Sequence, residues 1–263
     1  FVDPRVEAGK MNRITKEDLV QLIFINGKEL LWYKAFPIDV AIIRGTTADE
    51  WGNITMEKEA ITLEVLSMAQ AAKNSNGIVI AQVERIAKHG TLDARLVKVP
   101  GILVDYVVMS ENPSVNHRQT AHYVYNPAYS GEIRVPVTSY IPISQLTKQV
   151  ISRRACLELK HGAVVNLGTG TPTGVAPIVM QEKVEREITL TVESGGSGGV
   201  PADNIEDFGV TINPDAIIDQ PYQFDFYHGG GLDTCFMGWG QIDRHGNVNS
   251  SRFGTLIAGC GGF

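Results

Sequence analysis

A short apolar strand that runs directly into a carboxylate, and then into glycines, constrains this chain most strongly. Residues 188–192 alternate β-branched and aliphatic side chains, which predicts a buried strand. Glu193 follows at once, and four of the five residues at 195–199 are glycine. A carboxylate at a strand end lies at a sheet edge, and glycines let another molecule approach the backbone closely. The stretch therefore predicts a catalytic or binding carboxylate; the alternative is a solvated glutamate that caps a strand before a flexible loop.

The composition narrows the class of protein. With 263 residues, 43% of them hydrophobic and 20% charged, the chain can form one large or two medium globular domains. A net charge of -6 argues against a nucleic-acid partner, because phosphate binding requires a basic face. Three widely spaced cysteines predict a reducing, cytoplasmic compartment rather than a disulfide framework. Since the histidines lack ligand spacing and no apolar run reaches the ~18 residues of a membrane span, we expect neither a metal nor a membrane.

The order of the predicted elements indicates an α/β fold. A helix precedes two strands in the first part of the chain, and helices alternate with strands in the second. The predicted helices span residues 57–72, 144–160 and 173–181. The predicted strands span residues 29–36, 40–44, 78–83, 102–109, 163–167, 188–192, 216–218, 234–239 and 256–258. Residues 110–143 show no helical period and several prolines, so we predict an irregular connection with a domain boundary there.

Two segments 194 residues apart repeat one pattern. Asp39 and an apolar strand are followed ten residues later by Asp49, and then by Gly-Asn-Ile at 52–54. Asp233, Asp243 and Gly-Asn-Val at 246–248 repeat these features at the same spacing. The repeated sequence pattern predicts that the chain consists of two related halves. On this interpretation the first half lacks its opening and the second lacks its ending, so the chain is expected to be part of a longer protein.

Several glycine-rich turns follow predicted strands. Residues 168–174, Gly-Thr-Gly-Thr-Pro-Thr-Gly, suit either a phosphate cradle or a tight packing turn, and they match neither the Rossmann nor the Walker pattern. Residues 195–199 formally match the Gly-x-Ser-x-Gly elbow of serine hydrolases, but Val-Pro at 200–201 cannot begin the helix that an elbow requires. The glycine clusters at 228–231 and 259–262 are either ordinary loops or places where backbone N–H groups face an oxyanion or a cofactor.

Taken together, these motifs resemble the family I coenzyme A transferases, in particular the single-chain propionate and acetate CoA-transferases. In the second half the resemblance rests on residues 166–172, 193–195, 198–202, 229–233, 246–249 and 259–263. In the first half it rests on residues 1–5, 41–46, 48–50 and 97–102. The resemblance implies ping-pong transfer of coenzyme A between a short-chain acyl-CoA and a free carboxylate, with coenzyme A as co-substrate and no permanently bound cofactor or metal.

The resemblance also implies roles for individual residues. Glu193 matches the family's nucleophile, which forms a glutamyl-CoA thioester through a mixed anhydride. Gly261 and Gly262 match the loop whose backbone N–H groups form the oxyanion hole. The remaining matches imply binding of substrate or coenzyme A by a set of loop residues: Gly168, Gly170, Gly198, Gly199, Gly229, Gly230, Gly231, Asn247 and Gly259.

The implied architecture is two related, open α/β half-domains of the CoA-transferase/NagB-like type, each truncated at one end in this chain. Residues 1–125 would be the C-terminal part of the first half, residues 126–143 the connection, and residues 144–263 the N-terminal part of the second, catalytic half. The corresponding expectation is a cytoplasmic homo-oligomer of short-chain fatty acid metabolism, acting on acyl-CoA and short-chain acids, without nucleic-acid or membrane partners. The open alternatives are an acyl-CoA hydrolase on the same scaffold and an inactive fragment or binding module.

Overall fold

The chain folds into two compact units. The computed structural model describes Arg5, Ile14 and residues 16–18, 20–137 and 146–259. One unit is made of residues 1–37 and 239–263 and contains antiparallel hairpins; the other is made of residues 38–238 and contains the parallel sheets. None of the helices in these described ranges combines the length and the apolar character that a membrane crossing requires.

Short strands outnumber helices in the described residues. The strands are β1 (Val20–Ile25), β2 (Lys28–Tyr33), β3 (Val40–Arg44), β4 (Thr47–Asp49), β5 (Ile54–Thr55), β6 (Ile78–Val83), β7 (Arg85–Ala87), β8 (Val97–Val99), β9 (Tyr106–Met109), β10 (Val164–Leu167), β11 (Thr189–Thr191), β12 (Gly196–Ser197), β13 (Val200–Pro201), β14 (Thr211–Ile212), β15 (Ala216–Ile217), β16 (Thr234–Phe236), β17 (Gln241–Ile242), β18 (Val248–Asn249), β19 (Arg252–Phe253) and β20 (Leu256–Ile257). The α-helices are α1 (Val65–Asn74), α2 (Pro113–Asn116), α3 (Leu146–Cys156), α4 (Val175–Gln181) and α5 (Gln220–Phe226). Tighter turns of helix lie at Gly101–Leu103, Thr171–Gly174 and Ile205–Asp207, and a wider one lies at Tyr227–Gly231.

The hairpin unit begins with a strand that the sequence analysis missed. β1 pairs with β2 around Asn26 and Gly27, whose φ angles of 51° and 76° match a two-residue hairpin turn. Residues 20–25 read Val-Gln-Leu-Ile-Phe-Ile, and such β-branched and aromatic residues favour strands. The predicted strand at 29–36 is present as β2 but ends earlier, at Tyr33.

The first parallel sheet lies in the unit of residues 38–238. Its strand order is β3-β6-β9, with β3 and β9 both parallel to β6. One face is buried under α1, which packs Ala69 and Ala72 into the core. The opposite face exposes a row of apolar and aromatic side chains: Val40, Ile42, Ile78, Tyr106 and Val108. Parallel sheets are normally covered on both faces, so this row is an unusual exposed surface.

The second parallel sheet positions the candidate site. Its strand order is β15-β12-β11-β10-β16; β11 and β16 lie on either side of β10 and are parallel to it, whereas β12 pairs antiparallel with β11 and β15. Helix α4 covers it with Val175 and Val179, which pack in one core cluster with Val165 and Leu167. Because β10, β11 and β16 run in the same direction, the segments that follow them meet at one edge of the sheet, where ligands of α/β proteins usually bind.

The two segments that share the Asp and Gly-Asn pattern form the same kind of hairpin. β4 and β5 pair in the register Thr47–Thr55, and β17 and β18 pair in the equivalent register Gln241–Asn249. In the first hairpin, Asp49 accepts hydrogen bonds from the backbone N–H of Asn53 at 2.9 Å and from its side-chain amide at 2.9 Å. In the second, Asp243 accepts the same pair from Asn247 at 3.0 and 2.8 Å.

The shared hydrogen bonds also explain the acidity of both carboxyl groups. Burial disfavours the charged form of Asp49, but the Asn53 donors outweigh burial and lower its pKa to about 2. The Asn247 amide likewise holds the pKa of Asp243 below its usual range. The repeated geometry supports the predicted kinship of the two halves, whose boundaries stay a prediction.

The connection between the predicted halves is anchored by a buried aspartate. Asp207 is 1% exposed and accepts hydrogen bonds at 2.5, 3.1 and 3.1 Å from Thr120, His122 and Tyr129, which lie in the irregular segment predicted at 110–143. Tyr129 is itself buried in a core cluster with residues from both sides of the connection, including Ala60 and Ile212. Over residues 110–137 the segment is irregular apart from the four-residue α2; Ala128 and Tyr129 pack into the core, whereas Val115 and Val124 are exposed.

Two predicted elements begin later than the sequence indicated. The helix predicted at 57–72 begins only at Val65, because Leu63 has a φ of 51°, outside the helical region; the Glu57 side chain instead accepts hydrogen bonds from Thr55 and Arg85 at 2.7 and 2.6 Å. The strand predicted at 102–109 begins only at Tyr106, because residues 101–103 form a helical turn after Pro100. The prediction at 144–160 corresponds to α3; Ser144, the suggested helix cap, lies outside the described residues.

Substitution of Asp207 tests the anchor. Asp207→Ala leaves three donors of the connection without their acceptor, and we expect the free energy of unfolding to fall by about 2–4 kcal/mol. Urea denaturation followed by circular dichroism measures this value. The control Asp225→Ala removes an exposed carboxylate of α5 and should change stability by less than about 0.5 kcal/mol.

The effect of Asp207→Ala on stability is also expected to depend on pH. Burial opposes ionisation of Asp207, but its hydrogen bonds outweigh burial and lower its pKa. A carboxyl group whose pKa is lowered by folding stabilises the protein above its unfolded pKa, and this stabilisation is lost as the pH falls through the folded value. The stability difference between the native protein and Asp207→Ala should therefore shrink below about pH 4. A difference that stays constant down to pH 3 would contradict the anchor.

Candidate functional site

Glu193 lies at the edge where the parallel strands of the second sheet end. It follows β11 by two residues and forms, with Ser194, the centre of a tight turn into β12. The turn is closed by the Gly195 N–H, which donates to the Val192 carbonyl at 3.0 Å, and by the Val192 N–H, which donates to the Gly196 carbonyl at 2.9 Å. The predicted strand-end position of Glu193 therefore corresponds to a defined turn rather than to a flexible loop.

The glycines after Glu193 are required by the chain's own packing. Gly195 has a φ of 112°, and a side chain there would overlap the carbonyl oxygen of Ile218. Side chains at Gly196, Gly198 and Gly199 would likewise overlap atoms of residues 211–215. These glycines therefore let the Glu193 turn pack tightly against the segment of β14 and β15, which positions the backbone that carries the carboxylate.

The Glu193 side chain forms part of the wall of a cavity of about 270 Å³. Its Oε2 atom is buried and accepts no hydrogen bond from the described residues. The cavity is lined by residues from three places: the end of β10 and the following turn, the Glu193 turn itself, and the segment 201–210. A carboxylate that is partly desolvated and lacks donors retains more of its nucleophilic character than one in water.

The turn after β10 brings its glycines to this cavity. Gly170 lines the wall directly, with a φ of 90° and no atom within 4 Å of the position that a side chain would take. Gly168 is close by, held by a hydrogen bond from its N–H to the Phe236 carbonyl at 2.8 Å. The structure thus places the predicted 168–174 turn beside Glu193, and the open side of Gly170 faces free space as a binding turn requires.

An ion pair lies in the wall of the same cavity. Lys148 Nζ is 2.6 Å from Asp203 Oδ1 and 3.3 Å from the Thr173 hydroxyl. The Lys148 and Asp203 side chains are 23% and 22% exposed. Because Lys148 is paired with Asp203, its charge is largely compensated within the pair, and the rest of the wall is mainly apolar, with Leu167, Val192 and Val210.

A buried polar row lies behind the Glu193 turn. The register of the sheet aligns Thr191, Asn166 and Cys235 side by side across β11, β10 and β16. The Tyr227 hydroxyl, at the end of α5, lies 2.6 Å from Thr191 Oγ1 and 3.1 Å from Asn166 Oδ1. Burial raises the pKa of Tyr227 and of the Cys235 thiol, and the negative charge of Glu193 adds to both increases.

Other predicted site residues lie elsewhere or outside the described residues. Gly229, Gly230 and Gly231 follow α5 in the wide helical turn and are not among the residues of the cavity wall. Asn247 and Gly259 belong to the hairpin unit, where Asn247 bonds to Asp243. Gly261 and Gly262, the predicted oxyanion hole, lie outside the described residues. Binding and catalytic roles for all of these stay predictions.

Three residues of the site were not found by sequence reasoning. Nothing in the sequence indicates that Lys148 belongs to the site, since a lysine on a helix is usually solvated. Asp203 directly follows the Gly-Gly-Val-Pro-Ala motif at 198–202, and Tyr227 directly precedes the glycine cluster at 228–231, so each adjoins a recognised motif. The sequence could not show that either side chain turns towards the edge that carries Glu193.

Among the described residues, no group of three or more His, Cys, Asp or Glu side chains is arranged to hold a metal ion. The groups available at the Glu193 edge are a carboxylate, backbone N–H groups of glycine turns, a compensated ion pair and a buried tyrosine. Such a set suits covalent chemistry at the carboxylate.

Comparison with known proteins agrees with the motifs. The family described as Coenzyme A transferase matches residues 2–110. The caffeate CoA-transferase of Acetobacterium woodii is 51% identical over the whole chain, which covers 51% of that protein. The acetate CoA-transferase YdiF of Escherichia coli K12 is 41% identical, again over the whole chain and 49% of that protein.

A solved structure extends this likeness to the fold. The acyl-CoA transferase YdiF of Escherichia coli O157:H7, described as a thioester complex with CoA, superposes with a TM-score of 0.86 at 40% identity. The alignment covers 100% of this chain and 48% of the YdiF chain. The chain thus spans about half the length of the curated relatives it matches. The likeness in sequence and in fold confirms the resemblance to the family I coenzyme A transferases and the predicted α/β fold.

Proposed function

We propose that Glu193 is the nucleophile in a transfer of coenzyme A from an acyl-CoA to a free carboxylic acid. The observation that carries the proposal is the position of its carboxylate: at the end of β11, in a cavity wall, with Oε2 buried and without a hydrogen-bond donor among the described residues. A carboxylate is already ionised at neutral pH, so it needs no general base to attack a carbonyl carbon.

The proposed reaction proceeds in balanced steps. A carboxylate oxygen of Glu193 attacks the thioester carbonyl carbon, and the C–S bond breaks to give a mixed anhydride and the CoA thiolate. The thiolate then attacks the glutamyl carbonyl carbon and displaces the acid of the donor, which leaves a glutamyl-CoA thioester. An incoming carboxylate reverses these steps and departs as the new acyl-CoA. Backbone N–H donors at Gly261 and Gly262 are the proposed oxyanion hole, which would stabilise both tetrahedral intermediates.

The relatives support the type of reaction and leave the acid open. One matched protein is named for acetate and another for caffeate, so their names span a small aliphatic and a larger aromatic acid. We propose short-chain acids such as acetate and propionate as the substrates of this chain, with coenzyme A as co-substrate. A cytoplasmic, homo-oligomeric enzyme is part of the same proposal.

A covalent adduct on Glu193 is the direct test of the nucleophile. Incubation of the protein that carries this chain with propionyl-CoA should add the mass of one coenzyme A less one water, located by peptide mapping at Glu193. Glu193→Gln should abolish the adduct and reduce transfer by about 10⁴-fold or more, because no other group replaces the nucleophile.

Glu206→Gln is the matched control. Glu206 is exposed in the segment that lines the same cavity, and its replacement removes an equal charge without touching the proposed nucleophile. We expect Glu206→Gln to retain the adduct. An adduct that persists in Glu193→Gln, or that maps to Cys235, would exclude the proposed role of Glu193.

The fate of the glutamyl-CoA thioester distinguishes transfer from hydrolysis. With propionyl-CoA alone the adduct should persist, and added acetate should convert it to acetyl-CoA with return of the free carboxylate. The measurement is the ratio of acetyl-CoA to free coenzyme A over an acetate titration, followed by liquid chromatography. Release of free coenzyme A at an undiminished rate without acetate would identify an acyl-CoA hydrolase instead.

A further inference from the structure

The end of the second parallel sheet contains a row of polar side chains that the proposed reaction does not use. Thr191, Asn166 and Cys235 are neighbours in the register of β11, β10 and β16. Thr191 and Asn166 are 3% and 0% exposed. Burying an amide and a hydroxyl in a sheet is unfavourable unless each finds a hydrogen-bond partner. The partners of this row therefore determine how the ends of the strands are held.

The Tyr227 hydroxyl lies within hydrogen-bond distance of side chains on two strands, and its single proton can be donated to one of them. Its side chain is 8% exposed, and its hydroxyl contacts Thr191 Oγ1 at 2.6 Å and Asn166 Oδ1 at 3.1 Å. The Thr191 hydroxyl donates to the Val165 carbonyl at 3.0 Å, so it has no second proton for Tyr227 and must accept. The shorter contact is thus a hydrogen bond from Tyr227 to Thr191, continued from Thr191 into β10.

This chain of hydrogen bonds passes through Thr191, the last residue of the strand that leads to the nucleophile. Glu193 is two residues beyond Thr191, and its turn departs from the strand that Tyr227 holds. Burial raises the pKa of Tyr227, and the negative charge of Glu193 acts in the same direction. A raised pKa also keeps Tyr227 protonated and able to donate at neutral pH.

From this geometry we infer that Tyr227 is a positioning residue for Glu193. Its hydrogen bond to Thr191 ties the last residue of β11 to the end of α5, and the Thr191 hydroxyl ties the same residue to β10; the strand end held in this way positions the Glu193 turn that follows it. The inference rests on the proposed role of Glu193 as nucleophile. Displacement of a reacting group by about 1 Å is enough to slow a reaction substantially, so a small loss of order at Thr191 has a measurable effect on rate.

The test is the rate constant for formation of the adduct at Glu193, measured by quenched flow and intact mass in the protein that carries this chain. Tyr227→Phe removes the hydroxyl and keeps the ring. We expect the rate constant at saturating propionyl-CoA to fall about tenfold, the effect of one lost hydrogen bond, with the half-saturating concentration of propionyl-CoA unchanged. Tyr222→Phe, an exposed tyrosine on the same helix, should react at the native rate.

A purely structural tyrosine gives a different result. It would lower the melting temperature or the fraction of protein that reacts, and the fraction that does react would keep the native rate constant. A native rate constant in Tyr227→Phe, within about twofold, would overturn the inference. If the unsubstituted protein forms no adduct, the proposed function is wrong, and the inference, which rests on it, is overturned as well.

Variants of Thr191 keep the inference testable should Tyr227→Phe fold poorly. Thr191→Ser retains the hydroxyl that accepts from Tyr227 and donates to Val165, whereas Thr191→Val retains the shape and loses both bonds. We expect Thr191→Ser to react within about threefold of the native rate and Thr191→Val to show the same loss as Tyr227→Phe. Equal rates for the serine and valine variants would overturn the inference.

Discussion

The parallel register of β10, β11 and β16 is the constraint on which the candidate site depends. It brings the ends of three strands to one edge, so the turn after β10 and the turn after β11 line the same cavity. It also aligns Thr191, Asn166 and Cys235 into one buried row. The arrangement joins two requirements that usually conflict: a carboxylate exposed enough to react, and a strand end held firmly enough to aim it.

The sequence predicted the strand-end carboxylate but not the reason for its glycines. Alternation at 188–192 and the abrupt change to glycine located Glu193 correctly, because such local patterns depend on a few neighbouring residues. The glycines at 195–199 suggested close approach of a ligand, whereas the structure shows close approach of residues 211–218 of the same chain. A glycine-rich sequence indicates that other atoms approach the backbone closely, but it does not identify those atoms.

Long-range contacts set the other limits of prediction. The helix expected from residue 57 begins at Val65, and Glu57 lies before it with its side chain bound to Arg85, 28 residues away along the chain. Asp207 accepts hydrogen bonds from residues that lie 78 to 87 positions before it in the chain, and no periodicity in the sequence around Asp207 indicates that it is such an acceptor. Lys148 and Asp203 form their pair in the cavity wall across 55 residues. Each of these contacts is specified by the folded topology and is therefore invisible to pattern reasoning along the chain.

The two equivalent hairpins of Asp49 and Asp243 give the Gly-Asn motif a structural role that is independent of any ligand. Both asparagines close an aspartate turn, so each would be retained by folding alone, whatever a substrate requires. Asn53 thus serves as an internal reference for Asn247: because Asn53 also accepts a hydrogen bond from the Gly101 N–H at 2.9 Å, the effect of truncating it is an upper bound on what the turn itself needs. Only the excess effect at Asn247 can be attributed to a ligand.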